Sequence, residues 1–236
     1  MRPPRLIRSL RRAFSGGVDR REPGAVNHVA FGNHCQMAQI LKETGLRGWS
    51  GPFDWIFSSP GMIRDCLADD FSGLLDRRHF VSTPLAERPA PKVSSCRHDL
   101  YAERYAIPFV FNHHDPAVSE VDYRFLADGV RRLRVALARP DATNCFYALV
   151  TRPTEDADIL GLAEQLAGRG ANNRLLVLQT VPALCAPPTV EPVAAPHANL
   201  TWLRVGTRSE SLGLRFDDSR DDARVRRLVL DFAANA

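Results

Sequence analysis

Lysine is almost absent from this 236-residue chain, occurring only at positions 42 and 92. Arginine carries the positive charge instead, and together with the alanine excess this reads as genome composition and not as function. Long apolar runs are also missing. None approaches the roughly 20 residues a membrane span requires. No charged start leads into an apolar segment with a small-residue cleavage site, so the expected location is the cytoplasm. The five cysteines, Cys35, Cys66, Cys96, Cys145 and Cys185, are odd in number, widely spaced and contain no Cys-x-x-Cys pair. That pattern excludes a disulfide framework and a zinc ribbon. No basic face with interleaved aromatics recurs through the body of the chain, which argues against a nucleic-acid partner.

The charge that is present is unevenly placed. Arg2, Arg5, Arg8, Arg11, Arg12, Arg20 and Arg21 face only Asp19 in the first 21 residues, while the whole chain carries a formal charge of +4. The basic balance therefore belongs to a leader, residues 1–24, and the remainder, 25–236, reads as one slightly acidic α/β domain. Leu6, Ile7, Leu10 and Phe14 lie at helical spacing among the arginines. The leader could rest weakly on an anionic membrane surface, resemble a short transit peptide, or simply be a disordered tail.

Hydrophobic patterning in the body alternates between strands and helices. Strands are expected near 27–31, 107–111, 145–150, 174–179 and 201–205, and helices over 35–44, 61–69, 121–138, 157–167 and 221–232. Residues 45–60, 81–97 and 182–196 read as loops, punctuated by glycine and proline. Strands that are nearly continuous apolar runs, separated by amphipathic helices, indicate an open, mostly parallel sheet with helices on both faces. The expected fold class is thus a single-domain three-layer α/β architecture.

Chemistry concentrates between Val29 and Trp55. The apolar run ending in Phe31-Gly32 is followed by Asn33-His34-Cys35-Gln36, where a helix is expected to begin at the cysteine with Asn33 as its cap. A thiol at a helix N-terminus meets unpaired N–H groups and the positive end of the macrodipole, which favour the thiolate. The plainer reading makes Cys35 a small buried residue at a strand-to-helix corner.

The segments Gly32-Asn33-His34-Cys35-Gln36, Gly45-Leu46-Arg47 and Gly51-Pro52-Phe53-Asp54-Trp55-Ile56, with His114-Asp115 after an apolar run and the arginine-rich segment Arg131 to Arg134, resemble a bacterial family of unknown function described as papain-like cysteine peptidases. The resemblance runs to about Arg152. It implies a cysteine nucleophile at Cys35 with a histidine partner at His114, and a papain-like α+β fold as the alternative architecture. The alternating pattern conflicts with that fold, because papain-like enzymes take their histidine from an antiparallel sheet. The pattern also resembles, in architecture alone, SGNH-type hydrolases and the acetyltransferase-like proteins of capsule synthesis.

A thiol attacking an acyl carbon needs a base, a group to orient that base, and N–H donors for the oxyanion. His114 is the first candidate for the base, then His113 and His34. Asp115 or Asp54 could orient it, the backbone at Cys35 and Gln36 could supply donors, and Asn33, His113 and Trp55 could line the pocket. Alternatively, Phe53 and Trp55 fill the core and Asp54 caps a turn, while Arg131, Arg132 and Arg134 form a solvated face. No cofactor and no metal are expected, since adjacent residues such as His113, His114 and Asp115 seldom ligate one ion. The substrate would be a small molecule, a peptide or a glycan-linked group. Three functions fit: a cysteine-dependent hydrolase or acyl-transfer enzyme, a polysaccharide-biosynthesis transferase or hydrolase binding an activated donor, and a non-catalytic binding module.

Overall fold

The computed structural model describes residues 24–88, 93–107, 110–182 and 189–236. The basic leader over 1–23 and Cys185 lie outside them.

Four strands form the parallel body of one sheet: β1 (Val26–Gly32), β4 (Thr143–Val150), β5 (Asn172–Pro182) and β7 (Leu200–Thr207). The spatial order is β1-β4-β5-β7-β6, with the short β6 (Val190–Pro192) antiparallel at the far edge. Phe146, Tyr147, Ala148, Leu149 and Val150 in β4 are all buried, as expected of a strand covered on both faces.

Successive residues point to opposite faces, so each strand feeds two cores. On one face Ala30, Tyr147 and Leu176 pack with Met37 and Leu41 of α1 (Gln36–Glu43) and with Val225, Val229 and Phe232 of α7 (Ser219–Ala234). On the other, Phe31, Phe146 and Leu175 pack under α2 (Pro60–Ala68), α5 (Glu120–Ala138) and α6 (Asp156–Ala167). This is the three-layer α/β arrangement, and the papain-like α+β alternative is set aside because the central strands run parallel. Ser59 caps α2 by accepting the Met62 N–H at 3.2 Å, and Pro60 occupies the first turn, where its missing N–H has no helical partner to lose.

Several local expectations need correction. The first helix starts at Gln36, and Cys35 stands at its cap position with no side-chain cap. The described residues within 107–111 belong to no strand of the sheet. Phe111 instead makes single antiparallel bridges to Ile56 and Cys96, and 108–109 lie outside the described residues. The proline-bearing stretch 81–97 holds the two halves of a small antiparallel pair, β2 (Phe80–Ser82) with β3 (Cys96–His98). Two short helices, α3 (Ser72–Leu75) and α4 (Asp99–Tyr105), stand where the sequence pattern predicts none. Within 182–196, β6 gains a partner because β7 offers it an unpaired edge.

Candidate functional site

The carboxyl end of β1 is fixed by a backbone constraint at Gly32 and by side-chain hydrogen bonds of Asn33 and Ser58. Gly32 has φ +143°, and a Cβ there would stand 2.9 Å from the Leu149 carbonyl oxygen. Asn33, 3 % exposed, donates its side-chain N–H to the Ser58 carbonyl at 3.1 Å and accepts the Thr151 N–H at 2.7 Å. It therefore ties the ends of β1 and β4 to the 45–59 loop and is not the helix cap. Ser58 adds a hydroxyl hydrogen bond to the Gly32 carbonyl.

His34 follows on the same edge. One of its ring nitrogens, Nε2, is 2.9 Å from the Thr151 hydroxyl, while Nδ1 is buried without a hydrogen-bond partner among the described residues. Burial, aided by the nearby Arg152 cation, lowers its pKa to about 4. His34 is thus a neutral imidazole at pH 7.

Cys35 is 6 % exposed. Burial pushes its thiol up to about 11, its backbone N–H opposes the rise, and the Asp54 carboxylate adds to it. The activated thiolate expected at this position is therefore corrected to a protonated thiol. Among the described residues, no hydrogen bond joins Cys35 to His34, His113 or His114. Gln36 turns away from the edge: its amide donates to Asp222 at 3.0 Å and accepts the Ser211 hydroxyl at 2.5 Å. Its side chain ties α1 to the start of α7.

Among the described residues Asp54 makes no hydrogen bond to a histidine; its carboxylate is favoured by Arg47 and by the Gly51 backbone N–H in the same turn. It is 1 % exposed and accepts from Arg47 at 2.9 Å. Burial nevertheless raises its pKa to about 7 against the pull of Arg47. The Arg47 guanidinium also lies 5.2 Å from the centre of the Trp55 ring, so one cation serves both residues. Phe53 fills the core as expected, but Trp55 does not: it is half-buried and lines a cleft. Arg132 leaves the solvated face expected of it and donates to the Ser50 carbonyl at 3.0 Å, holding the same loop.

That cleft is where His114 emerges. Its walls are Pro52, Trp55, Ile56, Phe111, Phe125 and Leu126, and its polar side chains are His114 and Asp122. His114 Nδ1 lies 2.9 Å from Asp122 Oδ1, and the ring stacks on Phe125 with centroids 5.2 Å apart. The other carboxylate oxygen of Asp122 accepts the Asp115 N–H at 2.8 Å. Burial resists ionisation of Asp122, but the Asp115 N–H and His114 outweigh it and hold the carboxyl below its usual range. His114 Nε2 makes no hydrogen bond among the described residues. The imidazole is thus fixed by ring stacking and an anion, with its second nitrogen available.

The orienting carboxylate is Asp122, and the role expected of Asp115 is corrected. Asp115 follows His114 directly and cannot fold back onto its ring. Its oxygens instead accept the Ser82 hydroxyl at 2.9 and 2.7 Å. His113 is exposed. Asp122 was hidden inside an amphipathic helix pattern, but Ser119-x-x-Asp122 is a capping-box spacing. Ser119 caps α5 by accepting the Asp122 N–H at 3.2 Å, and the carboxylate of Asp122 reaches back past the cap to His114. Among the described residues no group of three His, Cys, Asp or Glu side chains could hold a metal ion. Comparison with family models, curated proteins and solved structures finds no match.

Proposed function

We propose that this chain is a hydrolase or acyl-transfer enzyme whose acid–base group is His114, oriented by Asp122. The observation that carries the reading is the buttressed imidazole on the wall of a cleft, with Nδ1 held by a carboxylate and Nε2 unbonded. A carboxylate on one ring nitrogen fixes the tautomer and stabilises the imidazolium that forms when the other takes a proton. In the proposed step Nε2 takes the proton of a water or an acceptor hydroxyl, and the freed oxygen bonds to the acyl carbon. The proton then passes to the leaving group as its bond to that carbon breaks. A glycan hydroxyl would serve as acceptor as well as water does, so a role in polysaccharide biosynthesis is one form of the same reading.

A second reading makes Cys35 the nucleophile, and its position at the start of α1 supports it. It requires substrate binding to bring a base to a thiol that is buried and protonated at rest. Ester and thioester turnover in three variants separates the two. The first reading expects His114→Ala to abolish turnover, Asp122→Asn to cut it by about 10²- to 10⁴-fold, and Cys35→Ser to retain it. Loss of turnover in Cys35→Ser, with an acyl adduct on Cys35 in the wild type by mass spectrometry, would transfer the nucleophile role to the thiol. Full activity in His114→Ala would end the first.

A further inference from the structure

The size and lining of the cleft bear on what the acyl group can be. Pro52, Ile56, Phe111 and Leu126 are buried around it, and Phe125 and Trp55 complete the apolar walls. The space open to the centre of a water-sized sphere is about 10 Å³. That is room for about one small group, a water or a methyl. The walls have little freedom to retreat. Gly129 of α5 lies so close to the loop that a Cβ on it would stand 3.0 Å from the Pro52 nitrogen. Arg132 holds the Ser50 carbonyl at 3.0 Å, and Ile56 bridges to Phe111. A water would find few partners among these side chains, whereas a methyl needs none.

We infer that this cleft is the acyl pocket of the site and that it selects the acetyl group over longer chains and over peptide acyl groups. The inference rests on the reading of His114 as the acid–base group, since that residue is what makes the cleft a reacting site. With the acyl methyl seated against Phe111 and Leu126, the carbonyl carbon is at the His114 side of the cleft. Each further methylene must displace a packed wall, and discrimination of about ten-fold or more per methylene follows.

The test has a binding arm and a turnover arm. In the first, primary amides from acetamide to hexanamide are titrated into the wild-type protein while the His114 ring Cε1–H resonance is followed by NMR. Acetamide should shift the resonance in a saturable way, propionamide should do so about ten-fold more weakly, and hexanamide should not. Leu126→Ala, which deepens the cleft, and Trp55→Leu, which widens its mouth, should each move the preference toward longer amides. Trp55 is half-buried, so its variant remains informative should the core substitution fail to fold. In the second arm, p-nitrophenyl acetate, butyrate and hexanoate are compared for kcat/KM. Binding without length preference, preference unmoved in both variants, or no shift by any amide would overturn the pocket. Selective amide binding with no turnover of any ester would leave the pocket standing and defeat the enzymatic reading.

Discussion

Cys35 sits between opposing influences whose sizes can be compared. The start of α1 favours a thiolate by about 0.3–2 kcal/mol, depending on exposure. Burial with a carboxylate nearby disfavours it by up to several kcal/mol, since each pKa unit corresponds to about 1.4 kcal/mol. Burial wins, and the thiol is held up at about 11. Alkylation of Cys35 by iodoacetamide, followed by mass spectrometry across pH 7 to 11, should therefore be slow near neutrality and rise about ten-fold per pH unit without levelling off below about pH 11. Because Asp54 adds to the rise, Asp54→Asn should lower the apparent pKa, whereas a resting thiolate would react fast at pH 7 in both proteins. The sequence made the position of this thiol legible and its state illegible. Gly32, Asn33 and Cys35 announce a strand-to-helix corner, but the neighbour that disfavours the thiolate, Asp54, reaches it only through the packing of a loop.

At the scale of elements, the parallel strands and their helices were readable because their signals are local. The run from Cys145 to Val150 is apolar throughout, and Phe125, Leu126, Val130, Leu133 and Leu137 recur at helical spacing. Pairing of β2 with β3 and the bridges of Phe111 were not readable, since they join short segments across proline-interrupted chain. The same holds for the site: His114 was visible as a polar residue after an apolar run, whereas its partner Asp122 belongs to the next helix. Register is another long-range property, and here it is marked by a ladder of buried amides. Asn27 donates to Asn144 at 2.8 Å, Asn144 donates to Asn173 at 2.9 Å, and Asn173 donates to the Leu166 carbonyl at 3.0 Å. Asn144 also donates to the Ala136 carbonyl at 3.0 Å, linking β4 to α5. Asn144→Ala removes hydrogen bonds to β1, β5 and α5 at once and should cost about 2–4 kcal/mol, as each net hydrogen bond is worth roughly 0.5–1.5 kcal/mol. A urea midpoint that moves by less than the equivalent of about 1 kcal/mol would show that the ladder is replaceable by packing.

For the whole molecule, the residues at the end of β1 and in the loop over it should shape the dependence of stability on pH, and they do so in opposite directions. Asp54 has its folded pKa raised to about 7 from the usual 3.8, so its neutral form stabilises the fold below about pH 4, and that contribution is lost as pH rises through 7. His34 has its folded pKa lowered to about 4 from 6.5. Its contribution is complete above about pH 6.5 and is lost as pH falls through 4. Between pH 4 and 6.5 one limb falls with rising pH while the other climbs, each at up to about 1.4 kcal/mol per pH unit. The two nearly cancel in the wild-type protein, and single substitutions should uncover them. Asp54→Asn removes the falling limb, so its stability should climb with pH across this window relative to wild type. His34→Gln removes the climbing limb, so its stability should fall by comparison. Urea midpoints at pH 4.5, 5.5, 6.5 and 7.5 check both slopes. The comparison of slopes is independent of the constant cost of either substitution, including the loss of a carboxylate opposite Arg47. The other titrating groups act alike in all three proteins. Parallel profiles would mean that neither side chain is held out of water as its burial implies.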